Sequence, residues 1–148
     1  SERRRRRRPL SLATEADGAF DVLIMDAYNS DAVPTHLLTR EALQLYLRKL
    51  APRGVLLFHI SNRYLDLEPV LANLAREAGI CSLTKADAIS PGNEVGGAAS
   101  RYVIMARAQT DLCALSSNYG WVPAKTRNDL GLWTDSYSSL LKILKWHG

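Results

Sequence analysis

Phe20-Asp21-Val22-Leu23-Ile24-Met25-Asp26 is the stretch that decides the fold class. Its apolar residues run on without alternation and stop at a carboxylate. Continuous apolar runs mark strands covered on both faces, as in parallel sheets, whereas a strand with one wet face alternates. Next comes a turn-rich segment through Asn29, Ser30, Asp31 and Pro34. Thr39 then stands where an N-cap belongs, and Leu43, Tyr46, Leu47 and Leu50 recur at helical spacing. Pro52 and Gly54 end that helix, and Val55-Leu56-Leu57-Phe58-His59-Ile60 supplies a second short buried strand.

Outward from this core the pattern repeats. After the loop Ser61-Asn62-Arg63-Tyr64, Asp66 is placed to cap a second helix with Pro69 in its first turn. Val70, Leu71, Leu74, Ala75 and Ala78 form the buried face of that helix, and Gly79 suits the position just past its end. Ile80 to Leu83 is a third strand candidate. Tyr102-Val103-Ile104-Met105-Ala106, beyond the Gly-rich loop Ser90 to Ser100, is a fourth. Strands alternating with helices at these lengths predict an open α/β sheet of the doubly wound kind. Near the C-terminus, Thr134-Asp135-Ser136 is expected to cap a short helix carrying Leu140, Leu141 and Leu144, with Asp135 as its cap.

Composition bounds the function. At 148 residues and 47% hydrophobic content the chain is large enough for one domain with its own core. No apolar run approaches the roughly 20 residues of a membrane-spanning helix. The N-terminus has no apolar segment of the secretory kind. The formal charge of +4 is misleading, because six of the 19 Lys+Arg lie in Arg3 to Arg8; the other 13 face 15 acidic residues, a balance of −2. Residues 1–16 are therefore expected to be a disordered basic tail, and 17–148 the folded domain. Such a tract binds nucleic acid or anionic lipid only non-specifically, and no aromatic or polar readout residues accompany it. Cys81 and Cys113 lack metal-ligand spacing, so both are expected to be buried, inert thiols in a reducing, cytoplasmic setting.

In open α/β sheets, ligands bind beyond the carboxyl ends of the strands. Asp26 ends the first strand there, with Tyr28 and Asp31 in the loop after it. Two carboxylates and an aromatic face suit a protonated amine, and a carboxylate can take a proton from an ammonium group to free a nucleophile. The same carboxylates equally suit turn or helix caps. On these residues alone both readings stay open. His36 and His59 have no partner at ligand spacing and are expected to be structural. Ser30 lacks the G-x-S-x-G setting of a hydrolase nucleophile.

A resemblance adds to this. Asp21-Val22-Leu23-Ile24-Met25-Asp26-Ala27-Tyr28-Asn29-Ser30-Asp31-Ala32-Val33-Pro34, followed by His36-Leu37-Leu38-Thr39-Arg40-Glu41-Ala42, resembles the polyamine aminopropyltransferases, the spermidine synthases. The similarity is greatest to the bacterial spermidine-synthase-like group often fused to a transporter-like membrane region. Gly54 to Leu67 and Trp133-Thr134-Asp135-Ser136-Tyr137-Ser138 fit that group too. The resemblance covers residues 17–146 and implies a methyltransferase-like (Rossmann-like) domain. The implied activity moves an aminopropyl group from decarboxylated S-adenosylmethionine, a co-substrate, to a diamine such as putrescine, with no prosthetic group. By the same resemblance Asp26 matches the proton-accepting aspartate, and Asp31 the diamine-holding acidic residue, at a spacing of five instead of three. Tyr28, Asn62 and Tyr64 are expected to line the pocket.

The departures set the alternatives. The family's Gly-rich nucleoside loop and its ribose-binding acidic residue have no counterpart in this sequence. Arg7-Arg8-Pro9 stands where a Gly-Asp-containing turn belongs, so the arginine tract is expected to be a truncated or misread start. The chain is then expected to be the C-terminal half of such an enzyme, incomplete for activity alone, with an open sheet edge that favours homo-oligomers or aggregation. The alternatives are a non-catalytic half-domain that binds a partner, or a methyltransferase of the same fold.

Overall fold

Strand β1 (Phe20–Asp26) and strand β2 (Leu50–His59) run parallel side by side, joined through helix α1 (Arg40–Lys49). The computed structural model describes residues 12–27, 35–61, 65–86, 100–112, 119–138 and 141–143. Thr39 is the N-cap of α1, as expected: its extended backbone turns the hydroxyl toward the helix, where it accepts from the Ala42 amide at 3.1 Å. His36 sits in a separate 3-10 turn (Thr35–Leu37) ahead of the helix. Leu50 belongs to the strand, which takes in Pro52 and starts five residues before the expected Val55. The pairing register slips between Phe20 and Val22 to accommodate these extra residues. Gly54 is required at that slip, because a Cβ there would lie 2.9 Å from the Phe20 carbonyl oxygen.

Helix α2 (Glu68–Ala78) follows β2. Its cap residue is Leu67, one beyond the expected Asp66, although the Asp66 carboxylate still accepts from the Glu68 amide at 3.3 Å. Gly79 ends the helix in the left-handed conformation (φ 72°), which a residue without Cβ adopts at no steric cost. Strands β3 (Cys81–Ala86), β4 (Arg101–Ala106) and the two-residue β5 (Val122–Pro123) complete a sheet in the order β1-β2-β4-β3-β5. β4 is antiparallel to both β2 and β3, so β1, β2 and β3 share one direction and β4 is a reversed strand between them. β5 was not evident in the sequence, being too short to show a period.

Side-chain alternation divides the core. Leu23 and Met25 of β1, Leu56 and Phe58 of β2, and Val103 and Met105 of β4 pack with Leu43 and Tyr46 of α1 and Val70, Leu71 and Leu74 of α2. Leu83, Ile104, Ala106 and Leu112 form a smaller cluster on the opposite face. Both helices therefore cover one face. Leu12, inside the stretch expected to be tail, is buried in the larger cluster. Ile143, in a 3-10 turn (Leu141–Ile143), is buried there too, while Leu140 and Leu144 lie outside the described residues. Among the described residues no helix is long and apolar enough to cross a membrane.

Candidate active site

Parallel pairing brings the carboxyl ends of β1 and β2 side by side, so their last residues, Asp26 and His59, are register partners. The Ala27 amide donates to the His59 carbonyl at 2.9 Å and holds the exit of β1 against β2. Because β4 is reversed, it begins where those strands end, and His59 is also the register partner of Tyr102. Alternation does the rest. Met25 faces the helices, so Asp26 faces away from them. Leu57 and Ile104 belong with the opposite face, so His59 and Tyr102 point there as well.

Four side chains meet at this edge. His59 Nδ1 lies 3.4 Å from Asp26 Oδ1, and His59 Nε2 lies 2.9 Å from Ser61 Oγ. The Ser61 hydroxyl oxygen also accepts from the Arg101 amide at 2.8 Å. The Tyr102 ring stacks on the imidazole at a centroid distance of 4.9 Å and an angle of 24°. Exposure falls along the row, from 40% for the Asp26 side chain to 24% for that of His59 and 6% for Ser61. The carboxylate thus meets solvent while its support is set back in the protein. Nearby, Arg101 Nη1 lies 3.7 Å from Asp66 and 3.8 Å from the buried Glu68, whose other oxygen accepts from the Lys125 amide.

An exposed carboxylate at the end of a parallel strand can bind an ammonium group and accept its proton. Of the residues expected to form the site, Asp26 lies at this edge; Tyr28, Asp31, Asn62 and Tyr64 fall outside the described residues. His59, expected to be structural and unpartnered, lies against Asp26, Ser61 and Tyr102. Sequence spacing hid this because the contact to Asp26 spans two strands. The signal that could have found it is that both buried runs end on a polar side chain, Met25-Asp26 and Phe58-His59, and parallel strands end together. Asp135, expected to cap the last helix, instead accepts from the Thr39 hydroxyl at 2.9 Å at the start of α1. Cys81 is half-buried, not fully buried as expected, with its thiol 3.6 Å from Gln109 Oε1; Cys113 lies outside the described residues. Among the described residues no group of three or more His, Cys, Asp or Glu side chains is arranged to hold a metal ion.

No family model and no curated protein matches the chain. Among solved structures it is similar to a probable spermidine synthase from Corynebacterium glutamicum ATCC 13032, with a TM-score of 0.53 and 17% sequence identity. The match covers 89% of this chain and 53% of that one, so the chain spans about half the length of that protein. The fold is thereby a mixed α/β one, consistent with the methyltransferase-like, Rossmann-like kind and shared with that probable spermidine synthase.

Proposed function

We propose that this chain carries the amine-activating half of an aminopropyl-transfer site, with Asp26 as general base. The observation supporting this is the exposed carboxylate at the carboxyl end of β1, in a fold shared with a probable spermidine synthase. An alkylamine is protonated near neutral pH and has no lone pair to attack with. Asp26 accepts a proton from the ammonium group, and the freed nitrogen attacks the aminopropyl carbon attached to the sulfonium of decarboxylated S-adenosylmethionine. A C–N bond forms as the C–S bond breaks; its electron pair returns to sulfur, and methylthioadenosine leaves as a neutral thioether. Most of the acceleration in such a displacement comes from holding amine and carbon in line. Asp31 is assigned to anchor the far end of the diamine, with Tyr28, Asn62 and Tyr64 lining its path.

The test is product analysis by mass after incubating the full-length protein with putrescine and decarboxylated S-adenosylmethionine. Spermidine and methylthioadenosine are expected in equal amounts, and Asp26→Asn is expected to lower the rate by at least about 100-fold. Undiminished turnover in that variant ends the assignment of Asp26. A methylated amine in place of spermidine, with S-adenosylmethionine as donor, would identify a methyltransferase of the same fold.

A further inference from the structure

The two edges of the sheet are built differently. β5, at one edge, is two residues long and includes Pro123, which has no amide hydrogen to offer a further strand. β1, at the other edge, is seven residues long and contains neither proline nor lysine. The Ala27 amide donates toward β2. By alternation the amide and carbonyl groups of Val22 and Ile24 point the other way, where no described strand lies. Their side chains stand on the face away from the helices. Val22 is 47% exposed and Ile24 half-buried, beside their register partners Val55 and Leu57, which are half-buried as well. An open ladder edge and a four-residue apolar patch therefore coincide.

We propose that a second copy of the chain occupies this edge, with β1 pairing antiparallel to its partner's β1 about a twofold axis at Leu23. In that register Val22 stands opposite the partner's Ile24, and Ile24 opposite the partner's Val22, so the apolar patch continues across the axis. An axis at Ile24 would instead set Val22 against the partner's Asp26. An axis at Val22 would set Ile24 against the partner's Phe20, where the pairing of β1 with β2 slips. With the axis at Leu23, Asp26 lies opposite the partner's Phe20, so the two Asp26 residues stay roughly 20 Å apart and no like charges face each other there. Because β5 cannot extend the sheet, assembly stops at two copies. One strand pair lies at the small end of specific interfaces, so the dimer forms in a concentration-dependent way. The contact depends on the sheet alone and not on the function proposed above.

The experiment has two arms on the 148-residue chain. In the first, sedimentation velocity over about a hundredfold range of concentration is expected to show monomer giving way to dimer. Val22→Lys is expected to stay monomeric throughout with an unchanged urea midpoint, because the side chain is exposed and lysine opposes edge pairing. Val122→Lys, on the β5 edge, is expected to leave the dimer intact. In the second arm, which needs no variant, amide hydrogen exchange locates the contact. The Val22 and Ile24 amides are expected to slow by at least about tenfold as the dimer forms, with Val122 unchanged. A monomer at every concentration overturns the proposal. So does a dimer that survives Val22→Lys, or assembly beyond two copies. Val22 and Ile24 amides that already exchange slowly in a monomer would show the edge covered by another part of the same chain, and overturn it too.

Discussion

Lys49 is only 5% exposed, yet its ammonium group is charged and must be satisfied. It donates to the Glu15 carbonyl at 2.6 Å and to Asp17 Oδ1 at 2.7 Å, so the last turn of α1 is tied to the segment leading into β1. The hydrogen bond from Lys49 holds the Asp17 carboxyl below its ordinary value of 3.8. A carboxyl with a depressed folded value adds stability that is complete above the ordinary carboxylate range and disappears as pH falls through the depressed value. The unsubstituted protein is therefore expected to be more stable than Asp17→Asn at pH ~7, with the gap closing below about pH 4. Urea denaturation across pH measures this; a gap that persists into strong acid would contradict it. Elsewhere, burial raises the Tyr46 phenol well above its usual range, and its hydroxyl donates to the Leu37 carbonyl at 3.0 Å.

At the scale of elements, the start of α1 is the best-defined joint. Thr39, 2% exposed, accepts from the Ala42 amide and donates to Asp135 Oδ1. The Asp135 amide donates in turn to Glu41 Oε2, and the Arg40 amide to the Trp133 carbonyl. The segment around Trp133 to Tyr137 is thus docked onto the first turn of α1. Loss of a cap hydroxyl alone costs about 1 kcal/mol and up to about 2. Thr39→Ala also removes the hydrogen bond to the exposed Asp135 carboxylate, which water can replace, so a loss of about 1–2 kcal/mol is expected in chemical denaturation, most of it recovered in Thr39→Ser. A double-mutant cycle with Asp135→Ala should show that the two losses are not additive. The cap itself was legible, since a threonine before an apolar-periodic run has few other uses. Its second partner was not, lying 96 residues away.

For the molecule as a whole, the two faces of the sheet are unequal. Among the described residues the larger cluster joins α1, α2, three strands, Trp133 and Ile143, whereas the smaller one has four buried members. Phe58, 1% exposed and 6.1 Å from Tyr46 ring to ring, lies in the larger cluster. Phe58→Ala is expected to cost about 3–5 kcal/mol, a large share of the ~5–15 kcal/mol that holds a typical domain folded. Val122→Ser on the exposed β5 is expected to stay within about 0.5 kcal/mol. Denaturant midpoints with unchanged slopes would confirm both; equal losses at the two sites would show that the faces are not unequal in the way described.

Local pattern in the sequence was enough to determine that buried strands alternate with helices, that Thr39 and Gly79 bound those helices, and that a carboxylate closes the first strand. These follow from periodicity and backbone preference, which act over a few residues. Only the tertiary structure decided that β4 inserts in reverse between β2 and β3, and that Asp26, His59, Ser61 and Tyr102 therefore share one edge. That convergence is set by register between strands distant in sequence. Pairing energy depends on which whole faces are buried together, so no short window of residues encodes it.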